Sequence, residues 1–290
     1  MIELDGVPAL VDPVMVAAFE GWNDAGEAAS SAVTHLAGVW DAKLVAALDP
    51  EDYYDFQVNR PVVSIGSSGE RELTWPTTQV SVAYGALSTR AGEARDVVLV
   101  RGIEPNIRWR AFVSELLAVG DELGVELVVV LGALLADVPH SRPVPVTGTA
   151  AERALAERLG LTRSRYEGPT GIVGVFQDAC TRVDMPAISL WAAVPHYVAQ
   201  TACPKATLAL VNRLEDLLEA RIPLGDLPEE ARAWETGVDE LSAEDPEVAD
   251  YVRSLEEAKD TAELPEASGE AIAKEFEKYL RRRGPDSGRG

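Results

Sequence analysis

The residues of this sequence best equipped for chemistry sit in four loops, each directly after a run that reads as a β-strand. The first loop carries Glu20, Trp22, Asn23 and Asp24, and the second Arg101, Glu104 and Asn106. The third carries Asp137, His140 and Arg142, and the fourth His196. In open α/β sheets, ligands bind where loops leave the carboxyl ends of strands. Carboxylates gathered there with a histidine and an arginine would suit a hydrolase or a phosphorolytic transferase, provided they meet at hydrogen-bonding distance. A further connection, Tyr166-Glu167-Gly168-Pro169-Thr170-Gly171, places Thr170 as the expected cap of the helix that follows, whose N-terminus can hold an anion.

Each of these residues also has a simpler role. Asp24 fits a helix cap, Glu104 fits the dipole of the helix it precedes, and His140, in a proline-rich loop, is expected at the surface. The known catalytic signatures are missing: there is no GxSxG elbow, no P-loop, no GxGxxG after a strand and no HExxH. Three histidines and two cysteines, Cys180 and Cys203, without CxxC spacing, argue against a histidine-rich metal site, a zinc site and a disulfide scaffold. No metal and no cofactor is expected, no residue is assigned as catalytic, and both cysteines are expected as buried thiols.

The elements that must position these loops follow from hydrophobic period. Residues 14–19 are an unbroken apolar run, read as a buried strand, and residues 25–36 as a helix of small residues. Strands are expected at 43–48, 97–100, 127–131 and 188–193, the third of them central and parallel. Residues 62–65, 71–75 and 79–84 read as a hairpin or meander inserted in the larger sheet. A helix is expected to start at Glu104-Pro105-Asn106, with Trp109, Phe112, Val113, Leu116, Leu117 and Leu123 at three/four spacing. Three prolines between 137 and 145 forbid regular structure there. Helices at 149–160, 172–182 and 205–221 complete the pattern. Alternating strands and helices give an α/β three-layer αβα sandwich with a mixed sheet.

Beyond residue 222 the pattern becomes all helical, with helices expected at 228–241, 246–259 and 269–283 and a linker at 264–269. Residues 1–222 are therefore read as the α/β core and 223–290 as an acidic helical extension. The whole chain of 290 residues carries a formal charge of −22. The last 76 residues hold 22 acids and 10 bases, which is −12, or over half of the charge. Such a balance excludes nucleic acid as a main partner and disfavours anionic membrane surfaces. The sequence starts without a signal-peptide pattern, and its longest apolar run, 127–136, is shorter than the roughly 20 residues a bilayer requires; a cytoplasmic location is expected. The tail helices keep apolar stripes, such as Leu227, Ala231, Trp234, Val238 and Leu241, so one face is expected to be covered. Arg281-Arg282-Arg283 fits the dipole at a helix C-terminus.

Four stretches carry a resemblance to a known family. Phe19-Glu20-Gly21-Trp22-Asn23-Asp24-Ala25-Gly26-Glu27-Ala28-Ala29 after a buried strand resembles the proteasome assembly chaperone family of the second-chaperone type. Val100-Arg101-Gly102-Ile103-Glu104-Pro105-Asn106, Tyr166-Glu167-Gly168-Pro169-Thr170-Gly171 and Val194-Pro195-His196-Tyr197 agree with it in order and spacing. The composition is similar to that of its high-GC Gram-positive branch, whose function is uncharacterised. The resemblance implies a sandwich related to phosphorylase/hydrolase-like folds, a homo-oligomer such as a trimer, and a chaperone-like role with proteasome subunits or other proteins as partners. Some bacterial relatives carry an ATP-grasp-like ligase label, for which this sequence shows no signature. The final residues, Ser287-Gly288-Arg289-Gly290, depart from the hydrophobic–Tyr–any ending of relatives that dock on the proteasome, and Tyr279-Leu280-Arg281 is internal. The expectation is a non-enzymatic, oligomeric protein-binding scaffold, with a strand-edge enzyme as the alternative.

Overall fold

The residue run from Val14 to Phe19 has no polar side chain, so it can be buried on both faces, and it forms the strand about which the sheet is built. In the computed structural model, which describes residues 6–66, 69–88, 94–164 and 166–263, this strand is β1 (Val14–Glu20). The other elements of the first half are α1 (Ala28–Val39), β2 (Lys43–Ala47), α2 (Pro50–Tyr53), β3 (Val62–Ile65), β4 (Arg71–Thr74), β5 (Gln79–Ser88), β6 (Ala94–Ile103) and α3 (Trp109–Glu122). Then come β7 (Leu127–Ala136), β8 (Val146–Ala150), α4 (Arg153–Leu159), β9 (Thr162–Arg163), α5 (Ile172–Arg182), β10 (Ala187–Pro195), α6 (Pro204–Leu218), α7 (Leu227–Glu244) and α8 (Pro246–Glu263).

Eight strands form one mixed sheet in the order β2-β5-β6-β1-β7-β10-β8-β9. The central four, β6, β1, β7 and β10, run parallel, and antiparallel pairings of β5 on β6 and β8 on β10 flank them. Alternate residues of β1 feed two cores. Val14, Val16 and Ala18 pack with α1 and α6 on one face, while Met15, Ala17 and Phe19 pack with α3 and α5 on the other. Both faces of the sheet are thus covered, which is the three-layer α/β sandwich expected. Phe19 meets Phe112 of α3 and Phe176 of α5 edge to face, at 5.6 and 6.4 Å between centroids.

Helix α7 packs against α6, with Leu227 in the α1/α6 core and Ala231 and Val238 also buried. Among the described residues no helix is long and apolar enough to cross a membrane. The linker expected at 264–269, the helix expected at 269–283, the arginines at 281–283 and the chain end lie outside the described residues.

Several local expectations require correction. Residues 149 and 150 end β8, and the helix starts only at Arg153, because Thr149 pairs with Ser189 of β10 in the sheet. The strands β3 and β4 form a two-stranded sheet of their own, and only β5 of the expected meander joins the main sheet. Helix α3 starts at Trp109, after Arg108 with φ 55°, and not at Glu104-Pro105-Asn106. The helix expected at 25–36 starts as a 3₁₀ turn, Ala25–Glu27, and becomes α-helical at Ala28.

Candidate functional site

The loop after β1 is held by a buried asparagine. Asn23 is 1% exposed; its backbone carbonyl accepts from Ala133 N of β7 at 2.8 Å, and its Nδ2 donates to Glu104 Oε1 at 2.7 Å. The same Glu104 oxygen accepts from the backbone N of Ile172, the first residue of α5, at 2.8 Å. Glu104 therefore satisfies a helix N-terminus, but that of α5 rather than that of α3. Thr170 is not the cap: Gly171 occupies that position, with no side-chain cap bond. A Cβ at Gly171 would stand 2.1 Å from Asn23 Oδ1, so the close approach of the two loops requires glycine there. Asn23 Oδ1 is buried and has no hydrogen-bond partner among the described residues.

Asp24 works as a cap, though not on the first turn. Its Oδ1 accepts from Ala29 N at 2.7 Å and Ser30 N at 3.3 Å, reaching over the 3₁₀ turn to the start of α1. Burial raises the Asp24 carboxyl above its ordinary value, partly offset by those hydrogen bonds. Glu20 pairs with Arg101 at 2.9 Å across the β1–β6 edge. Asn106 braces a different loop, its Oδ1 accepting from Asp55 N and Asn59 Nδ2 at 2.9 and 2.8 Å.

The third and fourth loops form a second cluster, with the acidic helices. His140 is not at the surface but 1% exposed, because α7 covers it. Its Nε2 lies 2.8 Å from Asp239 Oδ1, and its Nδ1 2.9 Å from the Tyr197 hydroxyl. A carboxylate only accepts, so Nε2 carries a proton toward Asp239, and the Tyr197 oxygen accepts from His140 N at 2.7 Å. Burial pushes the Tyr197 hydroxyl up to about 12. Lys205 donates to the His140 carbonyl and pairs with Glu235 of α7 at 2.7 Å.

Arg142 makes a two-pronged bond to Asp260 of α8, at 2.9 and 2.8 Å, and a longer one to Glu256 at 3.3 Å. Hydrogen bonding to Arg142 holds the Asp260 carboxyl below the usual range. Ser141 bonds Glu256, and Asp137 meets both His196 Nδ1 and the Tyr251 hydroxyl at 3.2 Å. The rings of His140, His196, Tyr197 and Tyr251 pack edge to face, 5.4 to 6.1 Å apart. Nothing in the local sequence singles out Lys205, Glu235, Asp239, Tyr251, Glu256 or Asp260 as members of this cluster. Only their excess of acids facing a chain with few bases was visible.

An open cleft of about 770 Å³ lies beside the first cluster. It is lined by Glu20, Asp24 and Arg101 together with Glu27, His35 and Glu230, but by none of Asn106, Asp137, His140, Arg142, Tyr166, Thr170 or His196. With Glu20 paired to Arg101, three further carboxylates remain in its wall, a poor setting for a phosphate or other anion. Among the described residues no three His, Cys, Asp or Glu side chains are grouped to hold a metal ion. Cys180 and Cys203 are free and buried, and burial raises their thiols to about 12 and about 11.

The strand-edge loops also turn large apolar side chains outward. Trp22 after β1 is 73% exposed, and Leu134 and Leu135 at the end of β7 are about half exposed. Tyr166 is 67% exposed, its hydroxyl bonded back to the Pro169 carbonyl at 2.7 Å, and Ile107 after β6 is also exposed. The bond from Ala133 N to the Asn23 carbonyl places Trp22 and Leu134 beside one junction, and Gly171 brings the Tyr166 loop against it.

Comparison with known proteins places this arrangement. A family model described as the PAC2 family matches residues 18–242. The crystal structure of a PAC2 family protein from Streptomyces avermitilis is 63% identical, with a TM-score of 0.77 over 83% of this chain and 100% of that one. That of a Mycobacterium tuberculosis proteasome-assembly chaperone homologue is 56% identical, with a TM-score of 0.73 over 82% of this chain and 99% of that one. The Pyrococcus furiosus protein PbaB, an archaeal proteasome activator, shares the fold at 18% identity and a TM-score of 0.66, over 83% of this chain and 98% of that one. No curated protein matches the sequence.

Proposed function

We propose that this chain, which belongs to the PAC2 family, is a non-enzymatic, homo-oligomeric protein-binding scaffold of the cytoplasm that acts in proteasome assembly. One observation carries the reading: the loops at the carboxyl edge of the sheet turn large apolar side chains outward and bond their polar ones to each other. Trp22, Leu134, Leu135, Tyr166 and Ile107 are exposed there, whereas Asn23 and Glu104 close on one another and on α5. Exposed aromatic and aliphatic groups around a rigid frame suit a protein interface, whose anchors are typically such residues. A general acid or base must reach a substrate proton, and His140 is enclosed between Tyr197 and Asp239 instead. The Mycobacterium relative is called a proteasome-assembly chaperone homologue and the Pyrococcus one a proteasome activator, which supports proteasome subunits as the partner class.

The test is co-expression of the chain with proteasome α- and β-subunits from the same genome, followed by native mass measurement. A complex with unassembled subunits is expected, and Trp22→Ala combined with Leu135→Ala should weaken it roughly tenfold or more, the loss typical of interface anchors. The proposal fails if the wild-type chain forms no complex with any of these subunits, or if the double variant binds as tightly.

A further inference from the structure

The β3–β4 hairpin is the least supported piece of regular structure in the described chain. All eight of its strand residues are exposed, and each strand pairs only with the other. Two-stranded hairpins are at best marginally stable alone in water and need a third strand or a packed face. The support visible within the chain is at its base, where Trp75 meets Phe56 edge to face at 4.9 Å.

Its side chains are not those of a solvated loop. The register pairs Val63 with Leu73 and Ile65 with Arg71, and directly opposed residues share a face. One face therefore carries Val63, Leu73 and Ile65, the last 71% exposed, with Arg71 at its rim, and the other carries Val62, exposed as well, with Thr74, Ser64 and Glu72. Flat apolar strands with unpaired edges invite pairing unless something covers them.

Charge decides what covers this one. The chain carries −22, so two copies repel over most of their surfaces. Residues 56–78 hold Arg60, Glu70, Arg71 and Glu72 as their only charged groups, two of each sign. The hairpin is thus an electrically neutral, apolar window in a strongly acidic molecule. A strongly basic partner would gain nothing by choosing it over the rest of the surface. A second copy gains most, since here the repulsion is weakest, and it is present at the same concentration as the hairpin itself.

We propose that the β3–β4 hairpin is the arm through which one copy of this chain packs on another, its Val63/Ile65/Leu73 face covered by the partner subunit. The inference rests on the oligomeric part of the function proposed above, and names the surface responsible. It uses residues other than Trp22 and Leu135, which are assigned to proteasome subunits.

Sedimentation velocity of the full chain, the Ile65→Asp/Leu73→Asp variant and Trp22→Ala tests it, with amide hydrogen exchange of the wild type at high and low protein concentration. The wild type and Trp22→Ala should sediment as oligomers and the hairpin variant as a monomer with an unchanged circular dichroism spectrum. In the wild type, β3 and β4 amides should exchange at least tenfold more slowly in the oligomer than after dilution. An oligomeric hairpin variant overturns the hairpin assignment alone. So do hairpin amides that exchange freely in an oligomeric wild type, a readout needing no variant to fold. A monomeric wild type at every concentration overturns the oligomeric reading as well. Loss of subunit binding by Trp22→Ala/Leu135→Ala with its oligomer intact separates the two surfaces.

Discussion

Around Asn23 the chain ties β1, β6, β7 and α5 together with short bonds to buried amides, whereas around Arg142 it ties α8 to a loop with ion pairs that remain half in water. Both clusters draw on the same set of strand-edge loops, and both close contacts between residues far apart in sequence. They differ in what water can replace. A buried donor left without a partner loses its hydration outright, while a half-exposed guanidinium that loses its carboxylate regains water. The first cluster should therefore fail globally and the second locally.

Glu104→Ala puts the greatest strain on that contrast. It strips the acceptor from Asn23 Nδ2 and from Ile172 N at once. Each abandoned buried donor costs about 1–3 kcal/mol, so a loss of about 2–6 kcal/mol is expected in denaturant unfolding. Glu104→Gln keeps an oxygen in place and should cost about 1 kcal/mol or less. Equal losses for the two variants would mean that the charge of Glu104, not its acceptor, holds the junction.

Asp24 offers a smaller effect of a different kind. Asp24→Ala removes the cap on Ala29 and Ser30 and should cost about 1 kcal/mol. Asp24→Asn keeps an acceptor and should cost less. The raised carboxyl means that the native state holds its proton more tightly than the unfolded chain. The stability this contributes is fully present below the unfolded value, near 3.8 to 3.9, and is lost as pH rises through the higher native value. Asp24→Asn should flatten that part of the wild-type profile. A wild-type to Asp24→Asn difference that does not change across acid pH would show that the cap bonds cancel the effect of burial, and one that grows as pH rises that they outweigh it.

The two clusters also differ in how far the sequence reveals them. β1, β7 and α5 are legible, since unbroken apolar runs and a three/four stripe leave few alternatives, and the expected helix 172–182 coincides with α5. The acceptor role of Glu104 was legible only in kind. Its helix lies 68 residues downstream, which local rules do not reach. Thr149 and Ala150 precede an alanine-rich stretch and read as helix, but pairing with β10 overrides propensity. His140 was misread because prolines mark loops, loops are read as surface, and its cover arrives 99 residues later on α7. The tail's charge was visible; that three of its acids, Asp239, Glu256 and Asp260, answer His140, Ser141 and Arg142 was not.

Arg142→Ala should give the smallest global effect. Arg142 and Asp260 meet with good geometry, but both remain partly in water, where such pairs contribute little and are screened by salt. Helix α8 is also tied through Glu256 to Ser141, through Tyr251 to Asp137 and to the rings of His196 and Tyr197, and by the buried Val252. The main unfolding transition, governed by the sheet and its two cores, should not move measurably. The amides of α8 should exchange faster, by less than about tenfold, and adding salt to the wild type should move them in the same direction. The amides of α7 should not follow, because Leu227, Ala231 and Val238 bury that helix independently of charge. If α7 and α8 open together on loss of Arg142, the acidic helices are one cooperative unit, and the apolar seat of α7 is weaker than its burial implies. If neither responds, the ion pairs at Arg142 decorate a helix that its contact with α7 already holds, and the contrast between a wet clamp and a dry junction is lost.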